Sequence, residues 1–224
     1  MPIQLFIGLT VEGTTDTQFL KEIIQNVFEE TAFECSTDVE IEDIRIVNVH
    51  KTSFVETMLK ASQKAIHDYG ISVLCIHADS DAKTSTEVYN NKFIPLFQQL
   101  NNVNSEEYCK TIVPVIPIHM TEAWMLADKE LLKEKIGAKT KRDSDLGIEK
   151  NPESYADPKQ TIEDAVRIAQ EGKTKRRRNE LTINDLYEEL GQSISLENLR
   201  QIPSFCLFED NVKSAFVSLK YILP

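Results

Sequence analysis

Residues 3–13 read Ile-Gln-Leu-Phe-Ile-Gly-Leu-Thr-Val-Glu-Gly. The stretch up to Val11 is dense in apolar and β-branched side chains, which is typical of a buried strand, and Glu12-Gly13 then predicts a turn. Over residues 16–28, apolar side chains recur three or four positions apart, so this stretch predicts a helix that buries one face. A buried strand that turns directly into an amphipathic helix is the opening unit of an α/β sheet.

The same alternation of strand and helix recurs along the chain. Further strands are predicted over 44–49, 71–78 and 112–118, and helices over 54–69, 86–100 and 121–135. Pro95 should delay or kink its helix, because proline has no backbone N–H to donate. The strands are apolar almost without interruption, which indicates burial on both faces. The sequence therefore predicts an α/β fold with a mostly parallel four-stranded sheet flanked by helices.

The pattern changes after Gly137. Residues 139–158 are polar and contain two helix breakers, Asn151-Pro152 and Asp157-Pro158. Short helices are then predicted over 159–170, 183–190, 196–201 and 209–219. We therefore predict an α/β domain over 1–136 and a small helical C-terminal region over 137–224.

Composition narrows the class of protein. The chain has 224 residues, 41% of them hydrophobic, which is enough for a real core. Its 25 basic and 36 acidic residues give a net charge of −11, which argues against a protein that coats nucleic acid along a whole face. No stretch approaches the ~18 apolar residues of a membrane span, and no basic leader opens the chain. The four cysteines are scattered, which predicts buried free thiols in a cytoplasmic protein: Cys35, Cys75, Cys109 and Cys206.

The charge is unevenly distributed. Residues 129–178 contain 14 basic and 10 acidic residues, whereas residues 1–128 contain 8 and 19. Five cations lie within six residues: Lys173, Lys175, Arg176, Arg177 and Arg178. Such a run is either a solvated loop or a contact for a nucleic-acid backbone. In the second case, neutralising all five should weaken nucleic-acid binding and reduce its salt dependence.

Carboxylates follow two of the predicted strands. Glu12 comes after the first strand, and Asp79 and Asp81 come after the third. If the second strand lies outside the first, the first and third strands are neighbours and these carboxylates converge at one edge of the sheet, with Asp16 one helical turn from Glu12. Acidic residues also cap strands and helices routinely, but a converging set would repel unless a divalent cation such as Mg²⁺ bound there. Metal beside a helix N-terminus points to phosphoryl or phosphodiester chemistry.

The segment after the fourth strand offers further candidates. Glu122 could be an additional metal ligand at the same edge, or it could simply favour a helix N-terminus. His119 could act as a base or contact phosphate, or it could be merely hydrogen-bonded. Trp124 is predicted to lie in the core, and Asp128 to be a solvated helix residue or a hydrogen-bond partner. The motifs GxGxxG, GxSxG and HExxH do not occur in the sequence.

Two acidic motifs resemble those of a known fold. Val11-Glu12-Gly13-Thr14-Thr15-Asp16 and His77-Ala78-Asp79-Ser80-Asp81 resemble the signature of the TOPRIM fold, which occurs in topoisomerases, bacterial primases and OLD-family nucleases. Residues 117–128, Asn151-Pro152-Glu153 and Pro203-Ser204-Phe205 are similar to a TOPRIM-related bacterial family of unknown function. Members of that family are often encoded beside AAA or ABC-type ATPases in loci proposed to act in phage defence.

This resemblance implies a nuclease-like centre that uses Mg²⁺ or Mn²⁺ to cleave DNA or RNA. It assigns Glu12 as general acid/base or metal ligand, and Asp79 and Asp81 as metal ligands. The alternative is a catalytically silent TOPRIM-like adaptor that binds an ATPase. A receiver-like or phosphatase domain is a third possibility, although haloacid-dehalogenase-type phosphatases carry Asp-x-Asp after the first strand. Topoisomerase and primase activities need more chain than 224 residues.

Overall fold

The computed structural model describes residues 2–80, 82, 84–171 and 181–222. The strands are β1 (Ile3–Leu5), β2 (Ile7–Thr10), β3 (Val39–Ile41), β4 (Arg45–Ile46), β5 (Val73–His77) and β6 (Ile112–Val115). The α-helices are α1 (Thr14–Ala32), α2 (Phe54–Tyr69), α3 (Thr86–Val88), α4 (Ile94–Asn101), α5 (Glu122–Met125), α6 (Lys129–Lys135), α7 (Asp143–Leu146), α8 (Pro158–Ala169), α9 (Leu186–Ser193), α10 (Leu196–Leu199) and α11 (Pro203–Ser218). A π-helical turn, Tyr89–Phe93, joins α3 to α4, and 3-10 turns lie at Pro152–Ser154 and Ile183–Asp185.

The central sheet has four parallel strands in the order β4-β2-β5-β6. This confirms the predicted α/β fold with a parallel four-stranded sheet. It also places the first and third predicted strands side by side, with Thr10 of β2 opposite Ile76 of β5. The carboxyl ends of β2 and β5 therefore lie next to each other, as the convergence of the acidic residues requires.

The first apolar segment forms two strands rather than the single strand that its composition predicts. The break falls at Phe6, whose carbonyl accepts hydrogen bonds from the N–H groups of Ser72 and Val73 at 2.9 and 3.3 Å. Before the break, β1 pairs with β3 in a separate two-stranded parallel sheet. After it, β2 joins the central sheet. Because both halves are equally apolar, hydrophobicity alone does not reveal the change of partner.

The helices follow the predicted pattern with local corrections. Helix α2 has the predicted bounds, with Ser53 as its cap and Gly70 ending it at a φ of 64°. The π turn directly precedes α4, where Pro95 occupies a first-turn position that needs no N–H donor. The helix predicted over 121–135 is two helices, because Asp128 caps α6 by accepting a hydrogen bond from the Leu131 N–H at 2.9 Å. Helix α7 lies in the polar stretch 139–158, for which the sequence pattern predicts no helix.

Both faces of the sheet are buried, as the continuous apolar strands predict. One face, which includes Leu9 and Cys75, packs against α1 and the helices that follow β6. The opposite face, which includes Leu74 and Ile76, packs against α2 and α4. The first of these two cores contains residues from before and after position 137, so the C-terminal helices complete the packing around the sheet. The division into domains at residue 136 stays a prediction.

Trp124 lies in the first core, as predicted, with none of its surface exposed. Its indole N–H donates to the Ser204 hydroxyl at 2.8 Å, and Phe205 packs edge-on against it. On the neighbouring edge strand β6, the carbonyl of Pro114 accepts a hydrogen bond from the Asn211 side chain of α11 at 3.2 Å. Helix α11 thus covers the β6 side of the sheet. Within the described part of the chain, none of the helices is long and apolar enough to cross a membrane.

Candidate metal centre

Three side chains meet at the carboxyl ends of β2 and β5. Asp16 lies in the first turn of α1, and its Oδ2 accepts a hydrogen bond from the Gly13 N–H at 2.9 Å, which closes the turn after β2. His77 is the last residue of β5, and Asp79 follows two positions later. One possible ligand atom from each of Asp16, His77 and Asp79 lies within 4.8 Å of the others. The parallel order of β2 and β5 therefore creates a compact acidic site.

His77 occupies the centre of this site and is completely buried. Its Nε2 lies 3.0 Å from Asp79 Oδ1 and 3.1 Å from the Thr121 hydroxyl. Its Nδ1 lies 3.8 Å from Asp16 Oδ2, too far for a hydrogen bond. Among the described residues, this Nδ1 is the one buried side-chain nitrogen or oxygen without a hydrogen-bond partner.

The electrostatics of the site call for a positive charge near Nδ1. Burial lowers the pKa of His77, but the hydrogen bond to Asp79 and the negative charges of Asp79, Asp16 and Glu12 outweigh it and raise the pKa above its ordinary value. If His77 is neutral and its Nε2–H donates to Asp79, the Nδ1 lone pair faces the Asp16 carboxylate. A proton on Nδ1 or a metal ion between the two groups removes that conflict. This donor set, two carboxylates and one imidazole, suits a divalent metal ion.

Glu12 lies at the opening of the crevice and is half exposed at its side chain. Its carboxylate forms an ion pair with Lys92, with 3.1 Å between Oε1 and Nζ. Its backbone carbonyl accepts a hydrogen bond from the Lys51 ammonium. The structure therefore places Glu12 beside the compact group of Asp16, His77 and Asp79 but directs its carboxylate to a lysine.

Glu122 is buried at the same edge and is already paired. The Tyr187 hydroxyl donates to Glu122 Oε1. Burial raises the pKa of Glu122, and the negative charge of Asp79 adds to this effect, which the hydrogen bond from Tyr187 only partly offsets. Burial and the neighbouring Glu122 raise the pKa of Tyr187 as well, so its phenol stays protonated. Glu122 is thus close enough to Asp79 to feel its charge, while its own carboxylate contacts tyrosine.

The other predicted candidates have different outcomes. Asp81 lies outside the described residues, and so does the basic run Lys173, Lys175, Arg176, Arg177 and Arg178. Their predicted roles therefore stay predictions. His119 follows β6 in the left-handed region, with a φ of 63°, which is a strained conformation for a non-glycine residue. Asp128 is a hydrogen-bond partner, because it accepts from both Leu131 and Asn198.

Sequence reasoning missed several residues of the site. His77 carried a usable signal, because it is the one polar side chain in an otherwise apolar strand and precedes Asp79 by two positions. No such sequence signal marks Tyr187, Lys51 or Lys92, because helix packing and loop geometry bring these residues to the edge of the sheet. Tyr187 lies 65 residues from Glu122 in the chain, and Lys92 lies 80 residues from Glu12.

Comparison with known proteins gives one match. A family model described as a domain of unknown function, DUF4276, matches residues 11–213. The match therefore includes both acidic motifs, the segment after β6 and most of the C-terminal helices. No curated protein and no solved structure matches the chain.

Proposed function

Starting from the membership of this chain in the DUF4276 family, we propose that it is a metal-dependent nuclease that hydrolyses phosphodiester bonds in DNA or RNA. One observation carries the proposal. A completely buried imidazole nitrogen without a hydrogen-bond partner faces a carboxylate, in a group of three side chains whose possible ligand atoms lie within 4.8 Å of one another. A structural histidine would normally satisfy both ring nitrogens, whereas a metal ligand leaves one free for the ion.

The donor set also limits the choice of metal. Carboxylate oxygens favour Mg²⁺ and Mn²⁺, and an imidazole nitrogen favours Mn²⁺ over Mg²⁺. We therefore propose that Asp16, His77 and Asp79 hold Mn²⁺ or Mg²⁺, with Asp81 as a further ligand. A cation of this kind, when bound, activates water and neutralises charge on a phosphodiester.

The remaining residues of the edge have roles that follow from their positions. Glu12 lies at the crevice opening, where it can accept a proton from the attacking water once Lys92 releases it. Thr121 fixes the ring of His77 through its hydroxyl. The parallel sheet, with Glu12 after its first predicted strand and Asp79 after its third, supports the TOPRIM-like assignment. We further propose a cytoplasmic setting and regulation by an AAA or ABC-type ATPase.

The test combines metal binding with cleavage. A calorimetric titration of the metal-free chain with Mn²⁺ should show binding. The affinity for Mn²⁺ should be at least about tenfold weaker in Asp16→Asn and in Asp79→Asn. Cleavage of single-stranded and double-stranded DNA and RNA should need Mn²⁺ or Mg²⁺ and should fail in Asp79→Asn and Glu12→Gln. Glu106→Gln, at an exposed acidic position, is the matched control. Cleavage that survives both Asp79→Asn and Glu12→Gln would eliminate this site.

A second candidate function is a silent TOPRIM-like adaptor that binds an ATPase. The observation in its favour is that Glu12 and Glu122, two of the predicted site carboxylates, already have protein partners in Lys92 and Tyr187. An adaptor would bind no Mn²⁺ at millimolar concentration and would cleave no nucleic acid, but it would co-purify with the ATPase. The calorimetric titration therefore separates the two functions.

A further inference from the structure

A cavity of about 370 Å³ lies directly beside Glu12. It is bounded by the residues that follow β2 and β4 and by the first turns of α2. Its wall is apolar where Val49, Phe54 and Met58 line it, and Asn48 lies at its rim. This volume falls in the range of pockets that hold small organic ligands.

Two lysines at this cavity converge on Glu12 from different parts of the chain. Lys51 follows β4 and donates to the Glu12 carbonyl, and Lys92 lies in the π turn and pairs with the Glu12 carboxylate at 3.1 Å. The Lys92 ammonium also lies 5.3 Å from the centre of the Phe54 ring. Lys92 is paired with the Glu12 carboxylate, whereas Lys51 contacts the uncharged carbonyl. Two ammonium groups and one carboxylate thus line the cavity, so its mouth carries an excess of positive charge beside the proposed metal centre. An anionic group is the ligand that this arrangement fits.

We propose that this cavity binds one nucleotide of the substrate strand, with a phosphate on Lys51 and Lys92 and its sugar and base against Val49, Phe54 and Met58. The inference rests on the proposed function, because it identifies the part of a nucleic acid that enters beside the metal. A base can enter this partly open cavity and lie against its apolar wall only after it leaves the stack of a duplex. The substrate is therefore single-stranded nucleic acid or an unpaired end, which binds by charge and by stacking on an aromatic ring.

The test measures binding apart from cleavage. Fluorescence anisotropy of a labelled oligothymidylate is recorded in EDTA, where no metal-dependent cleavage occurs. The double variant Lys51→Ala/Lys92→Ala should bind at least about tenfold more weakly. The slope of its log K against log salt should be shallower by about 0.7, which is the contribution of one phosphate contact on a single strand. Lys60→Ala, an exposed lysine on α2, is the matched control and should bind like the original chain.

A steric variant tests the cavity itself. Asn48→Trp at the exposed rim keeps both lysines and should block entry of the base, so it should weaken oligothymidylate binding while circular dichroism stays unchanged. Undiminished binding in both the lysine variant and Asn48→Trp would overturn the proposal, as would equal affinity for a blunt duplex of the same length. If these variants lose binding but the original chain cleaves nothing, the proposed nucleotide site is supported and the proposed nuclease activity is refuted. If cleavage depends on Asp79 but the lysine variant binds as well as the original chain, the nuclease activity is supported and the nucleotide site is refuted.

Discussion

Glu122 is a carboxylate that the protein covers almost completely, with 7% of the residue exposed. Burial is the main reason that its pKa is raised, because the charged form loses water that the protein replaces only partly. A carboxyl group whose pKa is higher in the folded than in the unfolded state stabilises the fold fully at pH values below its unfolded pKa. That contribution is lost as the pH rises through the folded pKa.

The replacement Glu122→Gln should therefore stabilise the metal-free chain at neutral pH. Glutamine carries no charge to bury, and its amide oxygen can still accept from Tyr187. The advantage over the original chain should vanish below a pH of about 4.3, where the glutamate is neutral in both states. Urea unfolding followed by Trp124 fluorescence, in EDTA across this pH range, gives the comparison. An advantage that grows at acidic pH would contradict the expectation.

Saturating Mn²⁺ separates the two roles predicted for Glu122. As a metal ligand, the charged glutamate would gain more unfolding free energy from the ion than glutamine does, and the order of stability would reverse. As a residue that only favours the helix start and pairs with Tyr187, it would leave the order unchanged.

Strand order alone predicted that Glu12, Asp16 and Asp79 share an edge. The pairing of Glu122 depends on a helix far along the chain, which is why sequence reasoning could not supply it.

Helix α9 carries Tyr187 and crosses α1 at Gly191. A Cβ atom built on Gly191 would lie 2.5 Å from the Phe19 carbonyl oxygen and 2.9 Å from Phe19 Cα, distances that real Cβ atoms essentially never show. These neighbours are backbone atoms, so they cannot turn away as a side chain could. The absence of a side chain at Gly191 thus sets how closely α9 approaches the helix that holds Asp16.

Gly191→Ala should push α9 away from α1 and destabilise the fold by about 1–3 kcal/mol, the usual cost of overpacking, despite the better helix propensity of alanine. It should also weaken Mn²⁺ binding, because α9, whose Tyr187 holds Glu122, would shift relative to α1, which carries Asp16. Thermal unfolding and calorimetric titration measure the two effects. Gln192→Ala, exposed on the same helix, should change neither. A gain of stability in Gly191→Ala would show that the helices do not need this close approach.

Most elements could be predicted from periodicity, because long apolar stripes and buried strands leave clear patterns. Helix α2 has its predicted bounds, since Ser53 and Gly70 mark both ends chemically. The break at Phe6 depends on hydrogen bonds from Ser72 and Val73, and the start of α6 depends on the hydrogen bond from Leu131 to Asp128. The periodicity of apolar residues reports neither of these contacts. The same holds for the π turn before Pro95, where proline indicated a disturbance but not its form.

Over the whole molecule, the C-terminal helices and the sheet share one core. Phe205 lies 5.1 Å from Trp124 between ring centres, and Phe216 lies 5.7 Å from Phe28. All four of these aromatic residues are completely buried, with 0% exposure. Removal of residues 137–224 would leave large apolar surfaces of α1 and α5 in water. This exposure would lower the free energy of unfolding by about 25 cal/mol for each Å² of apolar surface.

A chain cut to residues 1–136 should therefore fail to unfold cooperatively, and its Trp124 emission should lie at the wavelength of an exposed indole. The full chain should unfold in one transition, with coincident curves from tryptophan fluorescence and far-UV circular dichroism. Urea titration of the two chains makes the comparison. A cooperative transition in the shortened chain would instead establish the predicted boundary at residue 136 as a true domain boundary.

The two outer strands of the central sheet have a consequence for self-association. Strand β4 is two residues long, and β6 carries Pro114, which has no N–H to offer a neighbouring strand. The Pro114 carbonyl is already taken by Asn211 of the covering helix. Short, proline-bearing and covered edges are the means by which natural proteins prevent strands of other molecules from adding to a sheet. The central sheet is thereby protected from edge-to-edge aggregation, and a partner has to dock elsewhere on the molecule rather than add a strand to this sheet.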